Sequence, residues 1–376
     1  MVGGQDRRQF PVALRHVEKP FRGQAMASLI ARTVTGRSSM QEALLNTPNL
    51  RDAIHRALRD IEPDLEIYDT VRMAQHARDA DVRAVCYLDD LFSERYRGML
   101  EAAGRFPDID LQPMGNFGVH VPSMVRPIAD WGFSQHMLLR MEQRLVRRSE
   151  DRVARRFDTT LLINAQEAAL LRARVGVDGA DIQVIPPLLR NRRPPERSYR
   201  GVPEFVFLGQ LSLTHNDDGL RHFLADIWPL VLAQRPSARL AVVGRDPRPA
   251  LIALAAQYGD SVTLEGYVPE LAGILSRSVA LINPLRFGSG VKLKIIEALG
   301  AGMPVVSTSI GADGVSTGAE HGVVVGDSAS DFARLMLEAT EAERNAELSA
   351  AAREHFDNSY SRAAVFAKYD TVFGLG

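Results

Sequence analysis

The stretch GSGVKLKIIEALGAGMPVVST, residues 288–308, sets two lysines in what reads as the first turn of a helix, directly behind Gly-Ser-Gly. A helix N-terminus carries roughly half a positive charge, so a cation there costs about 0.3–1 kcal/mol. Lys292 and Lys294 make sense if an anion docks on that turn, where Gly288 and Gly290 let a ligand approach the backbone amides closely. A diphosphate fits. Lys294 and Glu297 are three residues apart and share a helix face, with Ile295, Ile296 and Leu299 roughly opposite. Glu297 then lies one turn beyond the anion, where its carboxylate can accept hydrogen bonds from a pair of neighbouring hydroxyls such as ribose O2′ and O3′. The plainer alternative is a surface helix with a capping Ser/Gly loop and an incidental Lys294–Glu297 pair.

Outward from this helix, short apolar runs alternate with amphipathic segments. Strands are expected at Glu204–Leu208, Arg239–Val243, Val262–Leu264, Val279–Asn283, Pro304–Ser307 and Val323–Val325, with helices near 217–234, 248–258, 269–277 and 291–301. Continuous Val/Ile/Leu strands separated by helices predict a parallel, doubly wound sheet covered on both faces. The first half repeats the pattern with strands at Asp64–Tyr68, Arg83–Tyr87, Thr159–Ile163 and Ile182–Ile185. Its helices are expected near 24–33, 49–61, 72–80, 92–104, 128–156 and 165–174. Between the halves, residues 186–203 hold five prolines and five arginines without apolar periodicity, and read as a linker. The expected division is 1–187, a linker 188–203, a second domain 204–357, and a closing helix 358–376 that packs back toward the first domain. Ligands of such sheets sit at the C-terminal strand ends, so the cleft between the domains is the expected site.

Composition narrows the function. At 376 residues the chain is too long for one ordinary core. A formal net charge of −1 gives no support to nucleic-acid binding. The single cysteine, Cys86, excludes an intrachain disulfide and a Cys-rich zinc site, and suits a reducing cytoplasm. No apolar run reaches the length of about 18 residues that a membrane span needs. MVGGQDRRQF, residues 1–10, lacks the apolar core of a signal peptide. Arg140, Arg144, Arg148, Arg152 and Arg156 recur every fourth residue, so they share one helix face. That face is either a solvated one, helped by Glu142, Glu150 and Asp151, or a peripheral contact, through 138–156, with anionic lipid at the inner face of the cell membrane.

Residues 204–360 resemble the C-terminal domain of family 4 glycosyltransferases, retaining enzymes of the GT-B fold. The likeness runs through FVFLGQLSLTHNDDGLRHFL (205–224), WPLVLAQRPSARLAVVGRDP (228–247), VTLEGYVPEL (262–271), residues 280–315 and NSYSRAAVFAKYDTVF (358–373). It implies two Rossmann-like domains facing across a cleft, and metal-independent transfer from a nucleotide sugar to a glycan or lipid-linked acceptor. The family's usual setting is cell-surface polysaccharide synthesis, and no cofactor beyond the donor is implied. By the same resemblance Glu297 holds the donor ribose, and Gly288, Ser289, Gly290 and Val291 cradle the diphosphate. Lys292 or Lys294 neutralises the leaving phosphate, Gly209 forms the glycine turn near it, and Tyr267 and Val268 contact the base.

Departures from the family pattern accompany the match. Ser289 stands where many members carry a glutamate that contacts the donor sugar, and Gln210 replaces an arginine. Thr214-His215-Asn216 covers the usual lysine region, so Lys294 is expected to take over the cationic role, as in a branch reading G-x-G-x-x-x-K-x-x-E.

In the first half, PDLEIYDTVRMAQHA (63–77), AVCYLDDLFSERY (84–96) and RRFDTTLLINAQEAALL (155–171) resemble the later part of the family's acceptor domain. Asp89, Asp90, Ser93 and Arg95 would face the cleft on the acceptor side, with capping of the next helix as the alternative role for Asp89-Asp90. The family's opening strand and Gly-rich loop are missing, so this domain is read as incomplete and the chain as starting inside it. Two other functions fit the same architecture: a non-catalytic nucleotide-sugar-binding partner subunit and a nucleotide-sugar 2-epimerase.

Overall fold

The computed structural model describes residues 13–17, 21–33, 35–79, 81–105, 132–176, 180–189, 197, 199 and 201–374. The expectation for residues 1–10 and most of the linker lie outside them. Two wholly parallel sheets organise the chain. The first runs β1 (Leu65–Asp69), β2 (Arg83–Asp89), β3 (Thr159–Leu162) and β4 (Ile182–Val184) in chain order. The second has the order β10-β9-β8-β5-β6-β7. Its strands are β5 (Glu204–Leu208), β6 (Arg239–Val243), β7 (Val262–Gly266), β8 (Leu281–Asn283), β9 (Val305–Ser307) and β10 (Val323–Val325). The order reverses where β8 lies beside β5, which is the doubly wound pattern, and the crevice at that reversal is the ligand-binding position of such sheets.

Strand alternation builds the second domain's two cores. Phe205, Phe207, Leu240, Val242 and Ile282 face one helix layer with Phe223, Trp228 and Phe332. Val206, Leu208, Ala241, Val243 and Leu281 face the other, with Ile295, Ile296, Leu299 and Phe356. Each large side chain buried this way contributes about 1.5–3 kcal/mol, and the layer containing Ile295 and Ile296 is what fixes the helix Leu293–Gly300 against the sheet.

In the first sheet, Tyr68, Cys86, Leu88 and Leu162 pack on Val153, Phe157 and Leu171 from two helices. The opposite face carries Val85, Leu161 and Ile185, and it is covered by Val365, Tyr369, Val372 and Phe373 of the helix Arg362–Phe373. Arg83 fastens that helix by donating to the Val372 carbonyl at 2.7 Å. The last helix of the chain is therefore part of the first domain's core. In the linker, Arg197 donates to the carbonyls of Ser278 (3.0 Å) and Val279 (3.2 Å) and to Asn345 Oδ1 (2.9 Å), which ties the segment to the second domain.

Three helices, Met40–Leu45, Ala329–Glu338 and Ala342–Ser359, were not anticipated from periodicity. The helix expected at 72–80 closes after Thr70–Ala74, and the Gln75 side-chain amide donates to the carbonyls of Arg72 and Glu42. In the helix Gly132–Arg156, the five arginines of the stripe are exposed, but Glu142 and Glu150 do not share their solvated face. Both glutamates are 1% exposed. Glu142 accepts the amides of Met40 (2.8 Å) and Gln41 (3.4 Å), and Glu150 accepts the Ser93 amide at 3.0 Å. Each stops the N-terminus of a neighbouring helix, where a carboxylate answers both the unpaired amides and the dipole. Among the described residues no helix is long and apolar enough to cross a membrane.

Candidate active site

The loop 286–292 enters the helix Leu293–Gly300 from the end of β8. Lys292 is the capping residue and offers no side-chain acceptor. Among the described residues nothing accepts the backbone amides of 288–294, so a row of unpaired N–H groups surrounds the helix start. Gly288 and Gly290 adopt φ of +135° and +73°, which supply the turn. A second close approach lies beside it: a methyl group on Gly244 would come within 1.8 Å of the Gly209 carbonyl oxygen. Only glycine lets the ends of β5 and β6 meet there and leave a crevice.

That crevice is a cavity of about 610 Å³. Gly209, Tyr267, Val268, Val291, Lys292, Lys294 and Glu297 all line it, together with His215, Asn216 and Arg245. A second cavity of about 640 Å³ lies between the domains and is lined by Gly288, Ser289, Glu167 and Asp313, among others. The candidates read from the sequence thus divide between the two cavities, with Gly290, Asp89, Asp90, Ser93 and Arg95 lining neither. The loop contributes Gly288 and Ser289 to the second cavity and Val291 and Lys292 to the first, and the Lys292 ammonium donates to the carbonyls of Ser289 (2.9 Å) and Gly290 (2.6 Å).

Among the described residues neither Lys292 nor Lys294 forms an ion pair. Lys294 donates to Asn216 Oδ1 at 3.3 Å and lies 4.1 Å from the Phe207 ring centroid. Loss of hydration, with the nearby Lys292 charge, holds its pKa well below that of an ordinary lysine. Burial lowers Lys292 to about 8, against the pull of Asp313. His215 is lowered to about 4 by burial and by both lysines, so it is neutral near pH 7. Glu297 is exposed as a residue, yet partial removal from water raises its carboxyl above the usual range. At the mouth, Tyr267 is 61% exposed and its ring is covered on one side by the Arg245 guanidinium at 3.8 Å. Among the described residues no group of three or more His, Cys, Asp or Glu is arranged to hold a metal.

From the first domain, Asp90 and Arg95 form an ion pair beside the loop. Asp90 is 6% exposed and reaches Gly290. Asp89 sits at φ +69° at the end of β2, and burial, with Asp90 and Asp69, raises its pKa. Ser93, expected to face the cleft, instead points into the domain: its amide and hydroxyl both go to Glu150, and Arg174 donates to the hydroxyl at 3.2 Å. Neither Asp89 nor Asp90 caps the helix Phe92–Arg105. Glu150 and Glu167 take the amides of Ser93 and Leu91 instead.

Sequence reasoning missed Glu167, whose place behind Asn164 reads only as a first-turn acid. It also missed Asp313, Arg245 and the bridging role of Asn216, which donates to the Gln210 carbonyl while accepting from Lys294. These residues meet the site from separate strand ends, so no spacing announces them.

Residues 202–341, less than half of the chain, match the family model for glycosyl transferases group 1. An uncharacterised 44.6 kDa protein of the cps region of Klebsiella pneumoniae is 33% identical over 123 residues, 31% of each chain. Among solved structures, TarM of S. aureus superposes with a TM-score of 0.59 at 15% identity, covering 87% of this chain and 58% of TarM. Sucrose-phosphate synthase of Thermosynechococcus elongatus gives 0.59 at 17% identity, over 89% and 79%. Anabaena HepE, solved with UDP, gives 0.60 at 13% identity, over 88% and 83%. The chain therefore spans under a third of the curated relative and under two thirds of TarM. Residues 202–341 are thus similar to the group 1 glycosyl transferases, and the two-sheet architecture matches the GT-B fold.

Proposed function

We propose that this protein transfers a glycosyl group from a nucleoside-diphosphate sugar to a glycan or lipid-linked acceptor, with retained anomeric configuration and without a metal. The observation that carries the reading is Lys294: a half-buried ammonium lining the crevice, with no carboxylate paired to it among the described residues, beside seven unpaired amides. An anion with two phosphates would satisfy the whole set. Glu297 lies one helical turn on, where its carboxylate would take the ribose hydroxyls, and Tyr267 and Val268 line the same crevice, where a base would rest.

Catalysis then consists of stabilising the departing diphosphate, where charge develops in the transition state. The amides of 288–294, the helix dipole and the two lysines supply that field, and the apolar walls of the crevice strengthen it. Retention rests on the resemblance of residues 204–360 to family 4, and no side-chain nucleophile is assigned. The cps-region relative supports a setting in polysaccharide synthesis. The exposed stripe Arg140, Arg144, Arg148 and Arg152 supports peripheral contact with anionic lipid, which flotation with acidic vesicles would detect.

Calorimetry with UDP, GDP, ADP and dTDP tests the site. At least one should bind, and Glu297→Gln should weaken it by about 1.5–3 kcal/mol, the worth of a hydrogen bond to a charged group. Folded protein that binds none of the four at millimolar concentration would refute the proposal. Unchanged affinity in Glu297→Gln would refute the ribose assignment alone.

A further inference from the structure

Asp90 presents an unanswered acceptor beside Gly290, on the loop that enters the helix Leu293–Gly300. Its Oδ2 is engaged by Arg95 and lies against the glycine loop, so that a methyl group on Gly290 would come within 2.9 Å of it. Its Oδ1 is buried and accepts no hydrogen bond. On the facing loop the Ser289 hydroxyl is likewise buried and unpartnered. A buried carboxylate oxygen left unpaired is costly. A hydrogen-bond donor belongs there.

The order of groups along a nucleotide sugar says which donor. With the diphosphate on the amides of 288–294 and the ribose at Glu297, the transferred sugar extends from the other phosphate, away from Glu297 and across the loop. The loop itself offers only Gly-Ser-Gly, with no charged side chain, and the first-domain carboxylate that rests against Gly290 is Asp90. We infer that Asp90 reads the transferred sugar, accepting a hydrogen bond on Oδ1 from one of its hydroxyls. Asp90 is then a specificity-determining residue of the donor site rather than part of the acceptor surface. Ser289 faces the same sugar from the second domain. The inference rests on the nucleotide-sugar reading above.

The test compares UDP, GDP, ADP and dTDP with the glucose ester of each, by calorimetry on wild type and Asp90→Asn. For the base that binds, the variant should hold the free diphosphate as tightly or more tightly, since a negative charge near the phosphates has gone. The same variant should bind the glucose ester roughly tenfold to a hundredfold more weakly. Equal loss for both ligands, or no loss for the ester, overturns the inference while leaving the diphosphate site standing. Absence of all diphosphate binding overturns the site and this inference together. Should Asp90→Asn fail to fold, wild type is titrated with the 2-, 3-, 4- and 6-deoxy forms of the ester. One of them should lose a comparable factor, and uniform affinity across the four overturns the assignment.

Discussion

The Lys294 ammonium lies 4.1 Å from the centroid of the Phe207 ring and 3.3 Å from Asn216 Oδ1, a pairing of a cation with groups that carry no charge. Attraction to an aromatic face is worth about 2 kcal/mol when desolvated, less than the cost of withdrawing an ammonium from water. The free protein thus holds a destabilised cation that a bound anion relieves. Lys294→Met should make the ligand-free protein about 1–3 kcal/mol more stable to denaturant while lowering nucleoside-diphosphate affinity by more than tenfold. A variant that is both less stable and still binds normally would contradict this account.

Lys292 adds a proton signature. Burial brings its folded value to about 8, below the 10.5 of an exposed lysine. Between those values the unfolded chain holds more protons, so this residue's contribution to stability rises with pH across that window. A diphosphate docking on the loop pushes the value back up. Binding near pH 8.5 should therefore take up protons, visible as a heat that differs between buffers of different ionisation enthalpy. Lys292→Met should shrink the difference, leaving only what Lys294 takes up.

The division between what the sequence disclosed and what it withheld has a physical basis. Runs such as Glu204–Leu208 and Arg239–Val243 are legible because a strand buried on both faces must be apolar at every position. The helix after Gly-Ser-Gly is legible because its glycines, lysines and glutamate lie within one short segment. Glu142, Glu150 and Glu167 are not, since an acid in a charged helix reads as solvated until its neighbour's helix start is known. The inward turn of Ser93 depends on Glu150, 57 residues away. Asp90 could be placed at a strand end, but only the packing of the two domains sets it on Gly290.

Those buried glutamates should give the first domain an unusual pH dependence. Burial, with a smaller push from Glu42, raises Glu142 to about 7 from 4.5, against the pull of the Met40 and Gln41 amides. Burial also raises Glu150 to about 7 and Glu167 to about 8. A carboxyl raised in the folded state binds more protons there than in the unfolded chain, so stability is lost as pH climbs through the raised values. The lowered histidines give an opposing slope that fades above their ordinary value of 6.5, so the fall is clearest between about 7 and 8. Melting temperature should fall across that interval. Glu142→Gln keeps an acceptor for the amides and should flatten the fall; an unchanged slope would mean that Glu142 is ionised throughout.

Gly290 carries two separable constraints, and a double-mutant cycle can part them. Its φ of +73° makes any L-residue strained by roughly 1–2 kcal/mol. Its contact with Asp90 adds a clash, because a methyl group would stand 2.9 Å from Oδ2. Gly290→Ala should therefore cost more than backbone strain alone and should weaken diphosphate binding by re-aiming the amides of 288–294. In an Asp90→Ala background the same change should cost only the backbone term, since the clashing carboxylate has gone. A coupling energy of about 0.5–3 kcal/mol between the two sites, read from denaturant unfolding, would report the contact between the domains directly. Strict additivity would mean that the domains stand apart in solution and that Asp90 does not rest on the loop.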